Sequence, residues 1–537
     1  MTRLAYAKQA VCWLVGSAIY NAFVHPLRHY PGPRLNAISR IPYTVSLLQG
    51  RNPQYIKSLH DAYGPVVRIN PNELSYIDGQ AWRDIYALRP HGKESFEKDP
   101  VFEGPDFVGE NGVARAKGDA NHGRVRKTFS HAFSDRALKE QESIFQSYVN
   151  QMIGVIRRRF SAGTDVVTVG ISDLYNFCTF DIMADLAFGE PLGMLTNDRY
   201  NEWVEAVFDN FKLAVFGQVL RAYPLLDALF QSFLPASLQE QRRKQQLFTT
   251  ERVDKRLARQ TDRPDIWTYV TRKDDGSRLT LPEMYSSAST FMLAGTETTA
   301  TLLSGLTFLL LKNKRVFAKL LAEIRAAIKS DADITMQNLI HLRYLGACIE
   351  EALRFYPPVP CPLPRVVPAQ GAAICGKWVP GGVRMPLPPN ESFHGGHKPD
   401  IARSINPVGY MVVSVCNYAA NHSAANFAQP DDFIPERWLD DDDENRARFS
   451  ADKRAAFQPF SYGPRGCLGK ALAYHEMRLM LVKLLTHVEI EGLAADSERW
   501  MDQRIFALWE KPTLNIRVRQ RALPSPPTAA VAPVAAQ

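Results

Sequence analysis

The stretch from Leu281 to Lys312 reads as one long apolar helix, and it limits what the chain can fold into. Thr280 and Glu283 stand at the spacing of a capping box at its start. About 32 residues at 1.5 Å each span roughly 48 Å, enough to cross a whole domain. The middle of the run reads Ala294-Gly295-Thr296-Glu297-Thr298-Thr299. Glycine and repeated threonine are poor helix formers, so the backbone ladder is expected to open there. Ala294 and Thr298, four residues apart, share one face, and Ser287, Thr290 and Phe291 lie one or two turns earlier. Such an opening is either a packing notch or a place for small molecules.

A second stretch carries chemistry. Phe460-Ser-Tyr-Gly463-Pro-Arg465-Gly-Cys467-Leu-Gly469 sets one cysteine among glycines, just before a helix expected over 470–486. A helix N-terminus offers backbone N–H groups and positive potential, both of which favour a thiolate. Gly463 and Gly469 permit unusual backbone geometry and close approach to a flat ligand, Phe460 is placed to cover the sulfur, and Arg465 to pair with an anion. Cys467 is therefore the candidate iron ligand. The plain alternative is a buried thiol beside a turn.

The spacing of Phe460, Gly463, Arg465, Cys467 and Gly469 resembles the haem-binding loop of the cytochrome P-450 superfamily, the haem-thiolate monooxygenases. Ala294 to Thr299 is similar to that family's oxygen-helix segment. The resemblance implies that Cys467 is the axial haem ligand and Arg465 a propionate contact. Thr298 would hydrogen-bond dioxygen and Glu297 would belong to the proton route, while Ser287, Thr290, Phe291 and Ala294 would line the substrate pocket. Glu351 and Arg354, three apart on a helix ended by Pro357 and Pro358, together with Arg437 in Pro435-Glu-Arg437-Trp438, match the family's buried ion-pair network. Arg365, after Pro362 and Pro364, stands where a further propionate contact is expected. On a helix-like run from Asn121 to Leu138, Arg126 matches another, and His122 replaces the family's tryptophan. Arg124 and Lys127 are read as facing a reductase. Phe506 and Leu508 would form the last strand pair and touch substrate.

The implied fold is mainly α with a small β subdomain, the haem lying between the long helix and the cysteine loop. The implied reaction inserts one atom of O2 into a small apolar organic substrate. Electrons would come from NADPH through a separate flavoprotein reductase, because no nucleotide-binding glycine loop is evident. Local wording such as Tyr30-Pro-Gly-Pro33 and Asn417-Tyr-Ala-Ala-Asn-His422 looks most like fungal microsomal members that tailor polyketides or terpenoids. A haem-thiolate isomerase or dehydratase, or a non-catalytic product, is the alternative.

A formal charge of +8 without a dense Lys/Arg block argues against nucleic acid and for an acidic protein partner or an anionic lipid surface. Seven scattered cysteines form neither a disulfide framework nor a zinc pattern, which fits reduced thiols facing the cytosol. Residues 1–25 are expected to anchor the chain in the endoplasmic reticulum membrane as a single pass, with Arg28, Arg34 and Arg40 on the cytoplasmic side. Residues 26–40 form a proline-rich hinge, 41–520 the catalytic domain, and 521–537 a low-complexity tail.

One segment departs from the family. Arg384 to Met411 is rich in proline, has neither helix nor strand period, and stands between Val379-Pro-Gly-Gly-Val383 and the strand-like run from Val412. It is either a surface insertion in a hairpin or a translated in-frame intron. The second is favoured because its flanks read as one interrupted strand.

Overall fold

The long helix forms as two pieces. In the computed structural model, which describes residues 2–89, 94–104, 112–160, 165–232, 236–271, 279–382, 409–440 and 443–521, Leu281–Ala294 and Glu297–Lys312 are separate helices around Gly295 and Thr296. The capping box closes as expected: Glu283 N–H donates to Thr280 Oγ1 at 3.3 Å, and Thr280 N–H to Glu283 Oε2 at 3.0 Å.

The elements that place the site are helices α1 (Thr2–Ile19), α2 (Arg34–Ile38), α3 (Asp119–Ser130), α4 (Asp135–Arg158), α5 (Ile171–Phe188), α6 (Glu202–Ala222), α7 (Leu281–Ala294), α8 (Glu297–Lys312), α9 (Arg343–Phe355) and α10 (Lys470–His487). In α5 every residue but Asp173 is buried, so it is covered on all sides and forms the centre of the helical core with α8. Phe129, Phe180, Trp267 and Leu303 belong to that core.

A second core, holding Trp82, Val67, Leu74 and Val413, lies against the small sheet. Strands β1 (Val66–Asn70), β2 (Glu73–Tyr76), β3 (Glu97–Lys98), β5 (Arg365–Val366) and β8 (Val412–Val415) pair in the order β1-β2-β8-β5-β3. Only β2 and β8 run parallel. Strands β4 (Val166–Gly170), β9 (Val488–Leu493) and β12 (Asn515–Gln520) form a separate sheet, and β6 (Ala372–Ile374) with β7 (Lys377–Val379) a hairpin. The expected last pair is β10 (Ile505–Phe506) with β11 (Leu508–Trp509), turning at Ala507 with φ 64°.

Four expectations need correction. The helix from Asn121 does not run to Leu138: α3 ends at Ser130, and Ser134 caps α4 through its hydroxyl. The 26–40 hinge contains α2, which begins directly after Pro33, where fixed φ suits a helix start. The flanks of the 384–411 segment are not one strand, since β7 and β8 belong to different sheets. Met411 also lies within the fold, accepting from Val367 N–H at 2.9 Å.

Residues 383–408 lie outside the described residues, but the chain leaves and re-enters at one place. A Cβ on Gly382 would lie 1.9 Å from the carbonyl oxygen of Gly409. The expected tail is also outside the described residues, apart from Arg521.

The N-terminal segment is helical but short. α1 has 18 residues and passes into a π-helical turn at Tyr20–Val24. Among the described residues no helix is long and apolar enough to cross a membrane, so the expected single-pass span is not seen. Trp13, Leu14, Ile19 and Phe23 are nevertheless exposed.

Candidate active site

The cysteine loop is a tight turn held from within. Cys467 N–H donates to the Phe460 carbonyl at 2.8 Å and Gly466 N–H to that of Gly463 at 2.9 Å. Gly463 has φ 74°, and a Cβ there would lie 2.1 Å from the Tyr86 carbonyl oxygen, so both conformation and space require glycine. Gly469 differs: its φ of −87° is open to any residue, and a Cβ there would meet nothing within 4 Å. Phe460 packs on Tyr474 with ring centroids 5.2 Å apart.

Protein surrounds the Cys467 sulfur on most sides, yet the residue remains exposed. Burial pushes its thiol up, while the Gly469 N–H and the charges of Arg126 and Lys470 pull it down. Such a sulfur fronts an interior space.

The broken turn between α7 and α8 presents a second open surface. Met292, Thr296 and Glu297 are buried, but Ala294 is exposed. Threonine hydroxyls serve the carbonyls freed by the break: Thr296 Oγ1 donates to Met292 at 2.7 Å, and Thr298 Oγ1 to Ala294 at 2.7 Å. Gly295 lies against α5: a Cβ there would come 2.4 Å from Met183 Cε, so the methionine side chain would have to move.

Among the residues expected near substrate, Ser287 is fully buried, its hydroxyl accepting from Val113 N–H at 3.1 Å. Phe291 packs edge-on against Phe129 at 5.0 Å, and Thr290 donates to Ser286 at 2.9 Å. Phe506 lies against Gly50, and Leu508 is half-buried on β11.

Cations gather at the sheet side. Arg126 on α3 donates to the Gly466 carbonyl at 2.6 Å, and Arg465 to that of Ala116 at 2.9 Å. Arg365 on β5 is buried over the Tyr86 ring, and its Nη1 has no hydrogen-bond partner among the described residues. His122 is pushed down to about 4 by burial and then by Arg465, Arg126 and Lys98. Lys98 on β3 was not foreseen; its charge is felt by Arg365 and Arg465, and only the β3–β5 pairing brings it there. Arg124 is turned inward, paired with Glu283, while Lys127 is exposed.

A sequence model of cytochrome P450 matches residues 35–389 and 407–515. The chain belongs to the cytochrome P450 family. It is 40% identical over 523 residues to the cytochrome P450 monooxygenase astA of Talaromyces wortmannii, covering 97% of both chains. It is 41% identical over 500 residues to the cytochrome P450 monooxygenase FUM2 of Gibberella moniliformis, covering 93% of this chain and 99% of that one. Similarity to the cytochrome P450 monooxygenase efuB of Hormonema carpetanum is 40% over 506 residues. The protein is a monooxygenase that binds haem with a cysteine thiolate as axial ligand.

The residues of this P450 fit that group. One sulfur is exposed within the loop, a cation set stands nearby, and a buried guanidinium nitrogen lacks an acceptor among the described residues. Behind the loop, Glu351, Arg354 and Arg437 meet. Arg354 donates to Glu351 through Nε at 2.9 Å and Nη2 at 2.8 Å, and Arg437 Nε to Glu351 at 3.1 Å. Trp438 Nε1 reaches Glu351 at 2.9 Å, and Arg437 Nη1 reaches Asp452 at 2.6 Å. Asp452 was missed because it stands in an irregular stretch with no periodic signal.

Proposed function

We propose that Cys467 is the axial thiolate of this monooxygenase and that Arg126, Arg365 and Arg465, with His122, hold the haem propionates. The observation that carries this reading is that Nη1 of Arg365 has no partner among the described residues, since a buried guanidinium donor without an acceptor costs about 1–3 kcal/mol unless a ligand supplies one. When bound, haem with a thiolate ligand activates dioxygen for insertion into an unactivated carbon.

The protein's residues supply the rest. Thr298 keeps its hydroxyl lone pairs free by donating to Ala294, so it can accept a hydrogen bond from the open side. Glu297, buried one residue earlier, is the carboxylate that brings protons in. Phe460 shields the loop on the sulfur side. Thr290 and Ala294 on the helix, with Phe506 and Leu508 on the last hairpin, bound the space for a small apolar substrate; Ser287 and Phe291 support it from the core side.

An NADPH-dependent flavoprotein reductase is the electron source. The exposed apolar side chains of α1 and Tyr20–Val24 support attachment to the endoplasmic reticulum membrane with the catalytic domain facing the cytoplasm. The likeness to fungal monooxygenases supports a tailoring step on a polyketide or terpenoid.

The test is the carbon monoxide difference spectrum of the reduced protein, with and without Cys467→Ser. A thiolate-type Soret band in the parent that disappears in the variant, with haem retained, is expected. The same band in both would remove Cys467 from its role.

A further inference from the structure

The two oxygens of Glu297 have different surroundings. Oε1 is paired with Lys511 Nζ and accepts from Thr301 Oγ1 at 3.2 Å, while Lys511 Nζ also donates to Thr301 Oγ1 at 2.7 Å. Oε2 is buried and has no partner among the described residues. The lysine and glutamate side chains are 6% and 4% exposed, so the pair lies inside the protein.

Lys511 reaches this place from the segment joining β11 to β12, and that segment is fixed on both sides. Trp509 stacks on Tyr356 at 4.3 Å and donates to the Pro357 carbonyl at 2.7 Å. Thr513 donates to Asp173 at 3.0 Å, and Leu514 N–H to Ser172 Oγ at 2.8 Å. The ammonium is thus delivered from an anchored backbone to one oxygen of one carboxylate.

Burying a lysine and a glutamate together gains little net stability, because desolvation offsets most of the attraction. The arrangement makes better sense as orientation. We propose that Lys511 is a positioning residue for the monooxygenase reaction: it clamps Oε1 of Glu297 and leaves Oε2 as the only atom of that carboxylate free to take up and release a proton. This rests on the assignment of Glu297 to the proton route. In each cycle Oε2 gains one proton that originates in solvent and gives it up on the side of the active site, returning to carboxylate. Lys511 keeps its own protons throughout.

The other titratable groups facing the pair are few. The phenols of Tyr200 and Tyr356 face the carboxylate and are held protonated, chiefly by burial. Asp173 faces Lys511. No second cation approaches Glu297 among the described ion pairs.

The test uses the haem-loaded full chain with a reductase, comparing Lys511→Met, Lys511→Arg, Glu297→Gln and the Lys511→Met/Glu297→Gln double variant. The carbon monoxide spectrum verifies that each is folded, and Lys511→Gln replaces Lys511→Met if the latter gives no thiolate band. The pH profile and solvent deuterium effect of NADPH consumption are measured, with the infrared band of a protonated carboxyl as a readout independent of turnover.

Lys511→Met is expected to slow NADPH consumption about tenfold, raise the solvent isotope effect and produce a carboxyl band that the double variant lacks. Lys511→Arg should return the rate to within about twofold of the parent. If Glu297→Gln alters the profile while Lys511→Met leaves it superimposable on the parent's, the positioning role is overturned. If Glu297→Gln itself changes nothing, the assignment of Glu297 to the proton route falls first.

Discussion

Arg354 and Arg365 are both buried arginines, eleven positions apart in sequence, and they differ in how completely their donors are used. All five N–H donors of Arg354 have acceptors: Glu351 twice, and the carbonyls of Asn421, Pro430 and Asp432. Arg437 beside it is nearly as complete, reaching Glu351, Asp452 and the carbonyls of Ala428 and Gln429. Arg365 has Tyr86 beneath it and an Nη1 with no acceptor among the described residues; its charged neighbours are Arg465, Lys98 and Glu103, and Glu103 is paired with Lys98 at 3.2 Å. A saturated cluster is finished by the chain itself. An unsaturated one leaves a donor for a ligand, which is the ground for the proposal that Arg365 holds a haem carboxylate.

The saturated cluster should break hardest. Arg437→Met leaves Glu351 and Asp452 buried with one cation fewer, and removing one partner of a buried pair costs about 3–5 kcal/mol. That is a large share of the stability of any domain. Loss of the thiolate band in the carbon monoxide spectrum and a melting temperature lowered by 5 °C or more are expected. Near-parent melting would show that complete hydrogen bonding does not mark a structural cluster.

Glu476 on α10 offers a third case, a buried carboxyl without a well-formed partner. Burial pushes it up to about 8, only the Thr299 hydroxyl opposing, so the folded protein holds a proton there that the unfolded chain releases above about pH 4.5. The unfolded state then binds fewer protons, so this residue's contribution to stability falls as pH rises from about 4.5 to about 8. By pH 7 the loss reaches roughly 3 kcal/mol at 1.36 kcal/mol per pH unit. Glu476→Gln cannot lose a proton, so its melting temperature should overtake the parent's progressively across that window. Parallel melting curves from pH 5 to pH 8 would show that Glu476 is solvated.

Much of this contrast was legible in the sequence, and what was missing has a common cause. The capping box at Thr280, the weak turn at Gly295, the cysteine loop and the Glu351–Arg354 spacing are local patterns, and each forms where its pattern stands. Lys98, Asp452 and Lys511 carry no local pattern. They arrive through strand pairing or irregular backbone, from partners 15 to 267 positions away, so only the assembled fold reveals them. Arg124 has a partner that the local pattern did not show: its helix start lies against the first turn of α7, and it pairs there with Glu283. The expected unbroken strand around 384–411 failed because the valines on its two sides belong to strands of different sheets: β7 pairs with β6, and β8 with β2 and β5.

Arg365→Met tests the unsaturated side. It removes a buried cation that the chain does not fully pair, so the apo-protein should melt within about 2 °C of the parent. Haem affinity should fall by about tenfold to a hundredfold, matching the 1.5–3 kcal/mol of a charge-assisted hydrogen bond. Haem titration of the apo-protein, beside its melting curve, reads both. A fall in apo stability as large as that of Arg437→Met would erase the distinction between the two clusters.

The smallest effect is expected from removing residues 383–408, and it asks what holds Arg365 in place. β5 pairs with β8 at Arg365–Val413 and Val366–Val412, and with β3 at Arg365–Lys98, so its ladder is complete without the excised segment. Gly382 and Gly409 already touch, and two added glycines can join them without moving either strand. The family match skips 390–406, within the same excision. Loop-closure entropy changes by only about 0.6 kcal/mol per halving of length, so the shortened chain should be as stable as the parent or more stable by up to about 2 kcal/mol. Its haem affinity and carbon monoxide band should be unchanged, because Arg365 depends on strands that remain. A thiolate band found only in the shortened chain would show that 383–408 perturbs the β5–β8 ladder, and sequencing of the transcript would then be expected to return a message without those codons.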